Sequence, residues 1–244
     1  MSNKSDRLVA LVTGANRGLG RETVRQLIVD HGYAVVLSAR SLAKAQQAAH
    51  ELKAEVGGDA VLEPVELDVS NAQQAKKLAA FVEARFGRLD TLVNNAGALV
   101  EKGWPSILET NVDDVRETLE INTISALTVS QAFVPLLLKG NGGNIVMVSS
   151  GMGGLTEMGS HHLAYRLSKT GMNVLTRTLH GEFAEQGLRI NSVCPGFVKT
   201  EFSPANVDAE REIPEGAKGI VWAATLDEKG PSGGFFRDGE AILW

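Results

Sequence analysis

Short runs of uninterrupted apolar residues alternate along this chain with longer amphipathic stretches. Leu8-Val9-Ala10-Leu11-Val12 is apolar throughout and stops at Thr13-Gly14. A short run of this kind, rich in β-formers, predicts a strand covered on both faces. Helical spacing of apolar positions follows over 19–31, which predicts an amphipathic helix. The pair recurs at 33–37 then 42–56, at 60–67 then 72–86, at 91–93 then 112–139, and at 144–148 then 163–186. A sixth strand is predicted over 188–193, and Gly233-Gly234-Phe235-Phe236 is a candidate seventh. Gly32, Gly57-Gly58, Gly87, the stretch 140–143 and Gly187 lie where helix ends and turns call for glycine.

Strands alternating with helices imply parallel βαβ units, and strands apolar on both faces imply helices on both sides of the sheet. The expected architecture is α/β: a single doubly wound Rossmann domain over 1–244, with a central parallel sheet of about seven strands flanked by helices on both faces. Neither a linker nor an internal repeat interrupts it.

Composition narrows the function. With 244 residues, 43% hydrophobic, 22% charged and a net charge of -5, the chain is an ordinary globular protein with enough apolar residues for a substantial core. Mild acidity without a Lys/Arg cluster argues against nucleic-acid partners and against anionic membranes. Cys194 is the single cysteine, which favours a reducing compartment. The polar opening from Met1 to Arg7 and the break at Thr13-Gly14 do not resemble a secretion signal. A cytoplasmic location is expected. His161-His162 are adjacent and lack partners at ligand spacing, so no metal site is expected.

Chemistry enters at the first strand-to-helix turn. Thr13-Gly14-Ala15-Asn16-Arg17-Gly18-Leu19-Gly20 has the form G-x-x-x-G-x-G. Glycines there let the backbone turn tightly and approach a pyrophosphate, while the following helix points free N–H groups at the phosphate charge. Gly14, Asn16, Arg17, Gly18, Leu19 and Gly20 are thus candidate dinucleotide contacts. NAD-binding folds place an acid roughly 20 residues past the glycines, where it bonds the ribose 2′-hydroxyl. Here the second strand ends in Ser38-Ala39-Arg40. Arg40, with Arg17, offers a planar fork for a 2′-phosphate, so NADPH/NADP+ is the expected cofactor.

Tyr165-Arg166-Leu167-Ser168-Lys169 puts a tyrosine and a lysine one helical turn apart on one face. The pair opens the helix after the fifth strand, at the carboxyl edge of the sheet, and that strand ends in Ser149-Ser150. Together with Leu67-Asp68-Val69, Asn94-Asn95-Ala96-Gly97, Asn122 and Pro195-Gly196 followed by Thr200, this set resembles the short-chain dehydrogenase/reductase family along nearly the whole chain. It is most similar to the NADPH-dependent carbonyl reductase-like members, through Leu37-Ser38-Ala39-Arg40, the segment from Cys194 to Thr200, and Gly230-Pro231-Ser232-Gly233-Gly234.

The resemblance implies roles. Tyr165 would be the general acid that protonates the carbonyl oxygen as hydride arrives. Lys169 would lower the phenol pKa and hold the nicotinamide ribose. Ser150 would bind the carbonyl oxygen, and Asn122 would anchor a water linking Lys169 to solvent. Asp68 and Val69 would meet the adenine, with Asn94, Asn95 and Gly97 packing beside the adenosine half. Pro195, Gly196, Val198 and Thr200 would border the nicotinamide. The implied reaction is NADPH-dependent reduction of a small aldehyde, ketone or quinone. A nucleotide-sensing regulator on the same fold and an NAD-linked alcohol dehydrogenase are the alternatives. The family implies association as a homodimer or homotetramer. Segments 98–106, with Trp104, 152–162, with Met152 and Met158, and 201–213, with Phe202, are expected to bound the substrate.

Overall fold

The central strands, Val9–Val12, Ala34–Ala39, Thr91–Asn94, Gly143–Val148 and Leu188–Val193, form because their residues can be buried on two faces at once, whereas the edge strand Leu62–Glu66 buries only Leu62. The computed structural model describes residues 7–140 and 142–244; the polar residues before Arg7, and Asn141 in the glycine-rich turn, lie outside them. In β1 (Val9–Val12), Val9 and Leu11 join one core while Ala10 and Val12 join the other. That period of two fills both sides of the sheet. The first core lies under α3 (Ala72–Phe86), α5 (Ser125–Leu137) and α6 (Leu163–Phe183), through residues such as Leu78, Phe133 and Met172. The second lies under α1 (Gly18–Val29), α2 (Leu42–Val56) and α7 (Ile213–Ala224), through Leu27, Leu52 and Ile220.

The remaining strands are β2 (Ala34–Ala39), β3 (Leu62–Glu66), β4 (Thr91–Asn94), β5 (Gly143–Val148), β6 (Leu188–Val193), β7 (Phe235–Arg237) and β8 (Glu240–Ala241). Their order is β3-β2-β1-β4-β5-β6-β7-β8. All pairs are parallel except β7 with β8. The fold is a doubly wound α/β Rossmann-type domain with eight strands among the described residues, the eighth a short addition to the expected set of about seven. Asp238 and Gly239 both have positive φ, 54° and 83°, and close a two-residue hairpin between β7 and β8, as an Asp-Gly pair favours. That dipeptide was the available signal.

Two further departures concern helices. The apolar pattern over 112–139 predicts one helix, but α4 (Val112–Leu119) passes through a π turn over Glu120–Ile124 before α5 begins. Periodicity cannot register one inserted residue in a long helix, and π turns are frequent at functional sites. α7 was masked in the sequence by Gly216 and Gly219. Gly216 is required by packing: a Cβ there would meet Val198 at 2.6 Å and Leu19 at 3.1 Å.

Candidate active site

The strand order reverses between β1 and β4, which leaves a crevice at their carboxyl ends. A cavity of about 960 Å³ occupies it. Its floor is the glycine loop. Gly14 has φ +62°, and a Cβ there would sit 2.9 Å from the Cα of Ala96. Thr13 Oγ1 donates to the Val93 carbonyl and accepts from the N–H groups of Asn95 and Ala96, each at 3.0 Å. Asn95 Nδ2 donates to the carbonyls of Thr13 and Gly14. The loops after β1 and β4 are therefore one braced unit.

Helix α1 starts at Gly18 without a side-chain cap and without an acid in its first turn. The first-turn N–H groups are consequently left for an anion. A Cβ on Gly18 would meet nothing within 4 Å, so this end of the helix faces open space. The donor set and the size of the cavity suit a dinucleotide.

Gly14, Asn16, Arg17, Gly18, Leu19 and Gly20 line the cavity, as do Arg40, Asp68, Val69, Asn95, Gly97, Pro195, Gly196, Val198 and Thr200. Arg40 is exposed at the end of β2. Arg17 Nη1 instead meets Glu201 Oε2 at 2.7 Å, in an exposed ion pair across the cavity mouth. Asp68 Oδ1 accepts from both the N–H and the hydroxyl of Ser70, and the cap of α3 is Asn71. Asn94 is set apart. As the last residue of β4 it points to the opposite face from its neighbour, and its Nδ2 donates to Ser130 Oγ on α5 at 3.2 Å.

Tyr165 and Lys169 border the cavity on α6. Lys169 Nζ lies 5.5 Å from the Tyr165 ring centroid and donates to the Val148 carbonyl at 2.7 Å. Burial at 4% exposure pushes the Lys169 ammonium down to about 8. Burial raises the Tyr165 phenol far above its usual range, opposed by a hydrogen bond from Ser150. Protein groups alone therefore keep Tyr165 a neutral proton donor. Ser150 does not line the cavity, and its Oγ also accepts from Met152 N–H at 3.2 Å. Ser149 does line it, but its hydroxyl donates to the Lys169 carbonyl.

Asn122 lies in the π turn, fully buried. Its Nδ2 donates to the Ala98 carbonyl and to Ser168 Oγ, each at 2.9 Å, and its Oδ1 accepts from Ala98 N–H at 2.8 Å. Both amide protons are committed, which leaves one Oδ1 lone pair as the side chain's remaining acceptor.

The segment 201–213 expected to bound the substrate lines the cavity through Glu201, Phe202, Ser203, Pro204, Asn206 and Val207, and Lys199 just before it is a lining residue that sequence reasoning missed. Asn206 Nδ2 donates to the Val198 carbonyl at 2.7 Å, which folds the segment back on itself. Phe202 packs against Tyr165 in a tilted pair, with ring centroids 5.8 Å apart. By contrast Trp104, Met152 and Met158 do not line the cavity; Trp104 packs against His162, with ring centroids 4.4 Å apart. Cys194 is buried, and its Sγ accepts from Gly151 N–H and Arg237 Nη2.

The family model for short chain dehydrogenase matches residues 8–211. A short-chain dehydrogenase/reductase of Aspergillus fumigatus is 37% identical, with 90% of this chain and 88% of the relative covered. The (+)-neomenthol dehydrogenase of Arabidopsis thaliana is 33% identical over 93% of this chain and 95% of its own. The NADPH-bound carbonyl reductase from chicken fatty liver superposes with a TM-score of 0.83, at 29% identity, covering 98% of this chain and 95% of that one.

Proposed function

The chain belongs to the short-chain dehydrogenase family, and from that membership we propose that it reduces a small carbonyl compound to the alcohol with NADPH, using Tyr165 as the general acid. The observation that carries this reading is Tyr165 beside Lys169 on the cavity wall, with the phenol kept protonated by burial and bonded by Ser150. A neutral phenol at physiological pH is the form that reduction needs, because charge grows on the carbonyl oxygen in the transition state.

The cofactor, when bound, would supply the hydride. The chain's own residues do the rest. First-turn N–H groups of α1 hold the pyrophosphate, and Arg40 binds the 2′-phosphate. Arg17 joins it by exchanging Glu201 for phosphate. Lys169 exchanges the Val148 carbonyl for the ribose hydroxyls, and returns a proton to Tyr165 after each turnover. Its pKa, reduced to about 8 and below that of the phenol, makes that transfer downhill. Ser150 fixes the carbonyl oxygen within reach of the phenol.

Phe202 over Tyr165 gives the substrate an apolar wall, and the relative named for neomenthol, an apolar cyclic alcohol, supports an apolar group on the carbonyl. The intact Tyr165 and Lys169 pair speaks against a purely nucleotide-sensing role. NADPH absorbance followed over a panel of aldehydes, ketones and quinones tests the proposal. Tyr165→Phe should abolish turnover and leave NADPH binding intact; a variant that still turns over removes Tyr165 from the mechanism.

A further inference from the structure

Helix α6 has an unusual beginning. Its cap position, His162, has φ 52° and makes no side-chain cap bond, and His161 before it has φ 62°. Two successive non-glycine residues with positive φ cannot supply the usual Ser/Asp-type cap. The first-turn N–H groups would be orphaned in the interior, where an unpaired donor is costly.

They are satisfied from another loop. Glu101 Oε1 accepts from Ala164 N–H at 3.0 Å, and Oε2 accepts from Tyr165 N–H at 3.1 Å. Glu101 is only 6% exposed and forms no salt bridge among the described residues. A buried carboxylate without a cation is costly unless matched; the N–H pair and the positive end of the α6 dipole match it.

The same short segment touches the other catalytic candidates. Ala98 exchanges two hydrogen bonds with the Asn122 side chain. A Cβ on Gly97 would lie 3.1 Å from Asn122 Oδ1 and 3.7 Å from Lys169 Nζ. Residues 97–101 thus form a splint. One end, Gly97 and Ala98, flanks Lys169 and bonds the π turn, and the other end, Glu101, grips the backbone of Tyr165 itself.

We propose that Glu101 is a positioning residue for the reaction, holding the first turn of α6 so that the Tyr165 phenol is set relative to Lys169 and Asn122. This rests on the reading of Tyr165 as the acid. In aligned active sites a displacement of about 1 Å costs up to roughly 100-fold in rate, so loss of the grip should appear in kcat. The phosphate contacts proposed for the glycine loop and Arg40 share no hydrogen bond with Glu101, so the NADPH Kd should change little.

The test compares Glu101→Gln, Glu101→Asp and the control Glu109→Gln, whose carboxylate bonds only Ser106. Gln keeps the shape but turns an NH₂ group toward one of the two N–H donors. The expected result for Glu101→Gln is a kcat lower by about 10- to 100-fold, with KM and the NADPH Kd within about threefold. Para-nitrobenzaldehyde serves as the carbonyl probe, or the panel member that the wild type reduces fastest. Amide exchange in the peptide starting at Leu163 should quicken in the same variant. Asp, which keeps two anionic acceptors, should recover part of kcat, and Glu109→Gln should behave as wild type. Unchanged kcat per NADPH-binding molecule overturns the proposal, whatever happens to Tm. So does unchanged amide exchange, and so does loss of NADPH binding together with turnover, which would make Glu101 a residue of the fold alone. Tyr165→Phe separates the two claims: if it still turns over, the acid assignment fails, while exchange at the α6 N-terminus still reads the Glu101 grip directly.

Discussion

Replacing Lys169 by Met should stabilise the protein near neutral pH, and the gain should fade as the pH rises. The ammonium is almost fully buried, with the Val148 carbonyl as its oxygen partner. Burial lowers its pKa from 10.5 to about 8, which corresponds to on the order of 3 kcal/mol of unfavourable charge burial. Below both values the folded and unfolded chains carry the proton alike, and the full penalty is present. As the pH rises through about 8 the folded protein releases its proton while the unfolded chain keeps it up to about 10.5, so wild-type stability from this group increases across that window.

Met removes the charge and retains most of the volume, so its advantage should shrink by roughly 2–3 kcal/mol between about pH 7 and about pH 10. Urea denaturation of both proteins at the two pH values gives the difference directly, and effects of other titrating groups, such as Tyr165, cancel between them. A stability difference that does not change with pH would refute the argument that the buried charge is what the fold tolerates at this site. The same substitution should abolish turnover. A charge that destabilises the fold yet is indispensable to chemistry is the usual trade at an active site.

Two other outcomes follow from the geometry. Arg40→Asp should weaken NADPH binding about 10- to 100-fold, the worth of a charge-assisted phosphate contact, with little effect on NADH; fluorescence titration with both cofactors checks it, and an equal loss for both would remove Arg40 from 2′-phosphate recognition. Gly20→Ala places a Cβ 2.5 Å from Asn95 Nδ2 and 2.7 Å from the Gly14 carbonyl, so it should cost about 1–3 kcal/mol by overpacking and impair nucleotide binding. Gly58→Ala, which meets nothing within 4 Å, is the matched control, and similar urea midpoints for the two variants would contradict the braced-loop picture.

Local backbone rules made much of the site legible in the sequence. Runs buried on both faces, such as Leu8 to Val12, required a parallel sheet covered by helices. The spacing of Gly14, Gly18 and Gly20 after the first strand marked where an anion would meet a helix end. The interval of one turn between Tyr165 and Lys169 required that both face the same way. Each of these depends only on residues near one another in the chain, where helix and strand geometry set direction.

Tertiary structure decided the rest, because those features depend on partners far away along the chain. Asn94 and Asn95 are neighbours in one motif, yet the pleat turns Asn94 toward Ser130 and leaves Asn95 to brace the glycine loop. The π turn at Asn122 lies where α4 and the turn itself dock on α6, with Thr123 and Asn122 bonding Ser168. The ion pair of Arg17 with Glu201 and the grip of Glu101 on Tyr165 join residues 184 and 64 positions apart. No periodicity records such contacts. The chain's local chemistry paired Tyr165 with Lys169 on one helix face, and only the folded arrangement, by bringing the Glu101 carboxylate from another loop to an uncapped helix end, placed the groups that bond the start of that helix.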